Sequence, residues 1–236
     1  SEIAGRMSPI MGAYHLSSAR GGTGNLICGV PGVLPISVLV LGGGTAGVHA
    51  ARMAAGMGAT VTIMEINLER MRELERVLPP NIRTLYSNEN NLAGVIGDVD
   101  LLIGAVLLPG ARAPHLVTRP MLSQMKPGSV LVDIAIDQGG CIETSHPTTH
   151  DDPVFTIDNI IHYCVANMPG AYARTATQAM ANASLPYALR LALLGPNPGL
   201  DRLADFGEGV NTCNGQLTNK AVAESLNFFS NDKSAR

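Results

Sequence analysis

Residues 37–67, "SVLVLGGGTAGVHAARMAAGMGATVTIMEIN", constrain this chain more than any other stretch. Ser37 to Leu41 is a short apolar run of strand length. Gly42, Gly44 and Gly47 follow it with GxGxxG spacing. Val48 to Met57 is alanine-rich and predicts a helix that stops near Gly58. Thr60 to Met64 predicts a second strand, with Glu65 at its end. A glycine fingerprint alone is weak in a chain with 26 glycines, but strand, glycine turn, helix, strand and terminal acid together predict a dinucleotide site. Gly42 permits the tight turn, Gly44 lets a pyrophosphate reach the backbone, and Gly47 lets the helix pack on the strand. The helix start offers unpaired N–H groups to phosphate. Glu65 would accept hydrogen bonds from ribose hydroxyls and repel a 2′-phosphate, which favours NAD over NADP. Arg70 opposes that preference, although its plainer reading is a solvated helix-face arginine paired with Glu73.

The rest of the chain predicts an α/β fold, a Rossmann-type doubly wound parallel sheet. Glu2 to Ser17 has helical spacing, with Ile3, Met7, Ile10, Met11 and Tyr14 on one face and Pro9 set to kink or split it. A glycine- and proline-rich connector leads to Ser37. Beyond Glu65 the pattern predicts a helix over Leu68 to Leu78, a strand over Ile82 to Tyr86, and a helix over Leu92 to Ile96. A strand over Leu101 to Leu107 and a short helix over Thr118 to Gln124 come next. Strands are predicted at Val130 to Ile136, Val154 to Ile157 and His162 to Val165. A long helix over Thr175 to Leu194, kinked at Pro186, and a last helix near Thr218 to Phe228 complete the pattern.

Composition limits the function classes. The chain of 236 residues is 46% hydrophobic and 15% charged, with net charge −3, which predicts a soluble globular protein. No basic cluster suits nucleic acid. The longest apolar run, Leu101 to Leu108, is strand-sized, so no membrane span is expected. Ser1 to Arg6 does not read as a signal peptide. Cys28, Cys141, Cys164 and Cys213 are scattered, as suits reduced thiols in a cytoplasmic protein. His146 and His150 are four apart, but Pro147 and two threonines argue against a helix there, and no metal site is expected. His49 and His162 read as structural.

"VLVDIAIDQGGC", residues 130–141, runs like a strand buried on both faces and then stops on Asp137. "HYCVAN" ends likewise on Asn167. Both polar residues would stand at the carboxyl edge of a parallel sheet, where such folds bind ligands. A loop carboxylate is an equally good reading of Asp137 taken alone.

Longer stretches carry a specific resemblance: "GVPGVLP", "VLGGGTAG", "DLLIGAVLLPGARAP", "MKPGSVLVDIAIDQGGC", "HPTTHDDP", "YCVANMPGA" and "NASLPYALRLA". Together they are similar to the later part of bacterial alanine dehydrogenases, across the whole chain. The related NAD-binding subunit of proton-translocating transhydrogenase shares the "KPGSV" region but usually has Glu where this chain has Asp137. The resemblance implies that Ser1 contacts the cofactor, and that Gly44, Thr45 and Ala46 line the pyrophosphate. It implies Glu65 and Arg70 at the adenosine ribose and Ser87 near the adenine. Val106, Leu107, Ile134, Val165, Asn167 and Met168 would surround the nicotinamide half, and Asp137 would be the catalytic carboxylate. Two departures lie in loops, at Gly21 to Gly24 and at Tyr172-Ala173.

The same resemblance implies an activity: reversible oxidation of L-alanine with NAD and water to pyruvate, ammonia and NADH, in a homo-oligomer, a hexamer by family likeness. Residues 1–174 would form the NAD-binding domain, and 175–236 a helical segment of a substrate domain whose N-terminal Lys, His and Arg are not in this sequence. The start at Ser1, without Met and in mid-helix, reads as an excerpt from a longer protein, and this chain alone is expected to be inactive. The alternatives are a stand-alone NAD-binding module of transhydrogenase type, a truncated product without turnover, and a Rossmann-type sensor that does not need Asp137.

Overall fold

The computed structural model describes residues 1–106, 115–195, 203, 206–207 and 209–226. These fall into two compact units that divide between Ala171 and Tyr172.

The first unit is built on a seven-stranded sheet. Its strands are β1 (Ser37–Leu41), β2 (Thr60–Glu65), β3 (Ile82–Tyr86), β4 (Leu101–Gly104), β5 (Val130–Asp133), β6 (Val154–Ile157) and β7 (Ile160–Tyr163). The order is β3-β2-β1-β4-β5-β7-β6, and every pairing is parallel except β6 with β7. This is the expected doubly wound sheet, with one antiparallel strand added at its edge.

Alternation along the strands divides the core into two layers. Val38, Val40, Val61, Ile63, Leu101 and Ile103 face one cluster, shared with α1 (Glu2–His15), α2 (Thr45–Gly56) and Leu74 of α3 (Leu68–Val77). Leu39, Leu41, Met64, Leu102 and Leu131 face the other, under α4 (Glu89–Ile96) and α5 (Arg119–Leu122). Neither face of the inner strands β1, β4 and β5 is left for water, so these strands are apolar at nearly every position.

The strand β4 ends at Gly104, short of the expected Leu107, and α4 begins three residues early, at Glu89. Three further differences from the sequence reading have a visible physical cause. The helix α1 runs through Pro9 without splitting. Pro9 has no N–H to give the Gly5 carbonyl, and the buried Ser8 hydroxyl donates to that oxygen instead, at 2.9 Å. The strand β5 ends at Asp133 rather than Ile136, because the Asp133 carboxylate caps the N–H of Ala135 and turns Ile134–Gln138 into a 3-10 helix. The strand β7 begins at Ile160 and ends at Tyr163 rather than running from His162 to Val165. Asp158 and Asn159 both have positive φ, 52° and 62°, and make the two-residue turn of a β6–β7 hairpin.

The second unit opens with α6 (Ala173–Leu194), a 22-residue helix containing Pro186. It also holds a small hairpin of β8 (Thr212–Cys213) and β9 (Gln216–Leu217), and α7 (Lys220–Ser225). No residue of α6 is buried, although Met180, Leu185, Tyr187, Leu189, Leu191 and Leu193 lie on it.

The contact of α1 with α2 depends on Gly5: a Cβ there would lie 2.3 Å from the backbone oxygen of Ala46. Gly5→Ala should cost about 1–3 kcal/mol. Gly56→Ala, at a helical position with open space around it, should be neutral or add up to ~1 kcal/mol. Urea denaturation of both variants beside the parent checks the pair; equal midpoints would mean that α1 can move without penalty.

Candidate functional site

At the carboxyl edge of the sheet, wholly within the first unit, lies a cavity of about 720 Å³. Its floor is the point where β1 pairs with β2 on one side and β4 on the other. Crossovers leave in opposite directions there, which opens a crevice.

The three fingerprint glycines serve three distinct needs. Gly42 has φ +97°, and its N–H donates to Met64 O at 2.8 Å, tying the turn to β2. A Cβ on Gly47 would stand 1.9 Å from Gly42 O, so only glycine lets α2 start this close to β1. A Cβ on Gly44 would meet nothing within 4 Å, and Gly44 lines the cavity together with Thr45 and Ala46. The first bond inside α2 runs from Val48 N–H to Gly44 O at 3.0 Å. The amides of the first turn therefore lie beyond the helix ladder, as anion binding requires. The backbone thus leaves room for a diphosphate and amides to meet it.

Glu65 stands across the turn and lines the cavity. One carboxylate oxygen accepts from Gly43 N–H at 2.8 Å, and the other from Ile66 N–H at 2.8 Å and Asn67 N–H at 3.0 Å. Three backbone donors thereby fix its orientation. Arg70 does not line the cavity. Its Nε donates to Gly43 O at 3.0 Å and its Nη1 pairs with Glu73 at 2.9 Å, so the guanidinium braces the glycine turn from behind.

At the other end Asp137 and Asn167 meet. Asn167 holds φ +54°, a conformation that an L-residue seldom adopts, and its N–H donates to Asp137 Oδ1 at 3.3 Å. His150 Nε2 lies 3.2 Å from Asn167 O. The cavity wall brings Ser1, Gly42, Gly44, Thr45, Ala46, Glu65, Ser87, Val106, Ile134, Asp137, Asn167 and Met168 together. Gly47 and Val165 are not on it: Gly47 is buried in the first turn of α2 against the turn after β1, and Val165 is fully buried in the core, bridged to Thr148. Leu107 lies outside the described residues. Ala4, Met64, Ala105, Leu116, Gln138 and Pro169 also line the cavity, and sequence reasoning did not single them out. For most of these small or apolar residues no local signal exists. Gln138 could have been suspected from its place beside Asp137, and its Oε1 is buried with no partner among the described residues.

Parallel sheet order, glycine turn and edge cavity together define a dinucleotide-binding domain of Rossmann type. Comparison with known proteins is more particular. Residues 8–220 match the family described as "Alanine dehydrogenase/PNT, C-terminal domain". An alanine dehydrogenase of Halomonas elongata is 52% identical over 96% of this chain and 61% of its own length. A solved L-alanine dehydrogenase superposes with TM-score 0.87 at 45% identity, covering 96% of this chain and 63% of that one. A transhydrogenase from Sinorhizobium meliloti gives TM-score 0.65 at 26% identity, covering 93% and 59%. The chain belongs to the alanine dehydrogenase/PNT family and corresponds to its C-terminal part, spanning about three-fifths of such relatives. Family and site together indicate NAD as the cofactor. Among the described residues no helix is long and apolar enough to cross a membrane.

Two thiols flank the site from inside. Burial pushes the Cys141 thiol far above its ordinary range, with the neighbouring Asp133 charge adding to the effect. Burial likewise raises Cys164 to about 12. A thiol raised so far stays protonated near neutral pH, and the thiolate is the reactive form. Cys28 is exposed. Brief treatment with a maleimide, followed by peptide mass mapping, should label Cys28 and leave Cys141 and Cys164 unmodified; rapid labelling of either would mean that the turn behind Asp137 opens readily.

Proposed function

We propose that this chain supplies the NAD site and one catalytic carboxylate to an enzyme that reversibly oxidises L-alanine to pyruvate and ammonia. The observation that carries this reading is the joining of Asp137 to Asn167 N–H in the cavity that also holds the glycine turn and Glu65. The two ends of one cavity thus offer diphosphate and ribose contacts at one side and a carboxylate at the other. The first turn of α2 and Gly44 would take the diphosphate, and Glu65 the adenosine ribose. Ser87 would lie by the adenine and Ser1 near the cofactor. Val106, Ile134 and Met168 would exclude water around the nicotinamide. Bound NAD would supply the hydride acceptor. Asp137 would hold water and ammonia at the substrate carbon by accepting their protons in hydrogen bonds, and Asn167 would help hold the nicotinamide and the substrate.

Groups that grip the substrate carboxylate and move its protons would come from the part of the relatives that this chain does not span. The second unit would belong with that part. A helix with apolar residues on most sides is normally covered on more than one of them, and α6 has none buried. The whole protein would act as a cytoplasmic homo-oligomer. The likeness to a transhydrogenase at 26% identity supports a second reading, an NAD-binding module without alanine turnover. Alanine-dependent NAD reduction by the full-length parent separates the two.

NADH should bind this chain more tightly than NADPH, and Glu65→Ala should erase the difference; calorimetry with both cofactors reads it, and equal affinities in the parent chain would remove Glu65 from the ribose site. In the full-length protein Asp137→Ala should lower kcat by on the order of 100-fold or more while NADH binding stays within about threefold. A near-normal rate would reduce Asp137 to a solvated loop carboxylate.

A further inference from the structure

Asp133, four residues before Asp137, is fully buried at the end of β5. Its Oδ1 accepts from Ala135 N–H at 3.1 Å and from the Cys141 thiol at 3.7 Å, and its Oδ2 accepts from Cys141 N–H at 3.0 Å. The Ser145 side chain lowers the pKa of the same carboxyl group, and the Cys164 thiol donates to Ser145 Oγ at 3.6 Å. These donors sit at both feet of the turn that carries Asp137. Gly140 N–H to Ala135 O, 3.1 Å, closes the same base. The space around the carboxyl group is kept by glycines. A Cβ on Gly140 would lie 2.8 Å from Asp133 Oδ2, and one on Gly104 would lie 2.5 Å from Cys141 Sγ and 3.1 Å from Asp133 Oδ1.

A buried carboxyl group is unfavourable unless its donors compensate it, and apolar packing would have closed this position more cheaply. Burial raises the Asp133 pKa, and the hydrogen bonds from Ser145, Cys141 and Ala135 oppose that rise. Of these residues only Ala135 lines the cavity; Asp133 itself is fully buried and does not, so it does not touch a ligand there. What it can do is hold the feet of the turn so that its apex has one position.

We infer that Asp133 is a positioning residue: it clamps Ala135 to Cys141 and so fixes Asp137 against Asn167 at the reacting end of the cavity. The inference rests on the reading of Asp137 given above. Asp133 acts on the turn alone, since the glycine turn and Glu65 are carried by β1, α2 and β2. Loss of the clamp should therefore separate turnover from cofactor binding.

The test uses the full-length parent enzyme. Asp133→Asn replaces one carboxylate oxygen with an NH2 that must face either the Ala135 or the Cys141 N–H, and so breaks one foot. It should lower kcat by on the order of 10- to 100-fold, with the Kd for NADH, read by fluorescence titration, within about threefold of the parent. Cys141→Ala removes one donor and Cys141→Ser keeps it, so kcat should fall more in the alanine variant than in the serine variant. That pair decides the matter if Asp133→Asn does not fold. A kcat per folded site equal to the parent in Asp133→Asn, or equal rates in the two Cys141 variants when Asp133→Asn is insoluble, overturns the inference. Parallel loss of NADH affinity and thermal stability with unchanged kcat also overturns it, because that is the pattern of a purely structural residue. Asp137→Ala, run alongside, keeps the two ideas apart: its inactivation together with a normal Asp133→Asn rate rejects only the clamp, whereas a normal Asp137→Ala rate rejects the reading on which the clamp depends.

Discussion

The closeness of α2 to the turn after β1 is the constraint on which the first unit depends. Gly47 sits so near Gly42 O that a single added carbon would overlap it, and Gly5 of α1 presses as closely on Ala46 O from the other side. The first turn of α2 is therefore held between two backbone surfaces with no side chain to act as a spacer. Backbone contacts of this kind have little freedom to relax, since neither partner can change rotamer. The amides at the start of α2 acquire a fixed place relative to β1 and, through the shared register of β1 with β2 and β4, to Glu65 and to the sheet edge. A preorganised anion site needs that rigidity more than it needs any particular side chain.

The far end of the cavity is organised on the opposite plan, by side chains. Two aspartates four residues apart receive contrasting environments. Asp133 is enclosed and surrounded by donors, and Asp137 is exposed, with a single backbone N–H on it among the described residues. One carboxyl group spends its acceptors on the protein, while the other keeps most of its own for a ligand. Such a division between neighbouring acids is a common way for one short segment to supply both structure and chemistry.

Much of this was legible in the sequence. The bounds of β1, β3 and β6 match stretches of strand length read from the sequence, and the roles of the fingerprint glycines follow from strand–turn–helix spacing. What escaped depends on particular side-chain hydrogen bonds more than on hydrophobic pattern. Ile134 to Ile136 continues an apolar run and looks like strand. It turns because Asp133 accepts from the N–H groups of Ala135 and Cys141, and a hydrophobic pattern carries no sign of those bonds. The passage of α1 through Pro9 depends on a hydroxyl that happens to sit beside it. The start of β7 was readable in principle, since Asp158-Asn159 between two apolar runs is a hairpin signal. The cavity wall was half legible: residues next to glycine turns and terminal acids were found, whereas Ala4, Ala105 and Leu116 face the same space without any chemical mark.

The β6–β7 hairpin has a mechanical consequence for the site. A further parallel strand would have required a helical crossover; instead the chain descends β6, reverses at Asp158-Asn159, and returns along β7 to deliver Asn167 at the edge where Asp137 waits. The position of Asn167 is thus metered from the opposite edge of the sheet. There Arg119 grips Asp158 with two bonds, at 3.0 and 3.2 Å, and its own N–H meets Glu143 at 2.7 Å. A slip of two residues in the hairpin keeps every side chain on its proper face, yet carries Asn167 about 7 Å along the strand axis. The far turn works as a ruler: a loop that touches no ligand sets the length by which one wall of the cavity reaches the other.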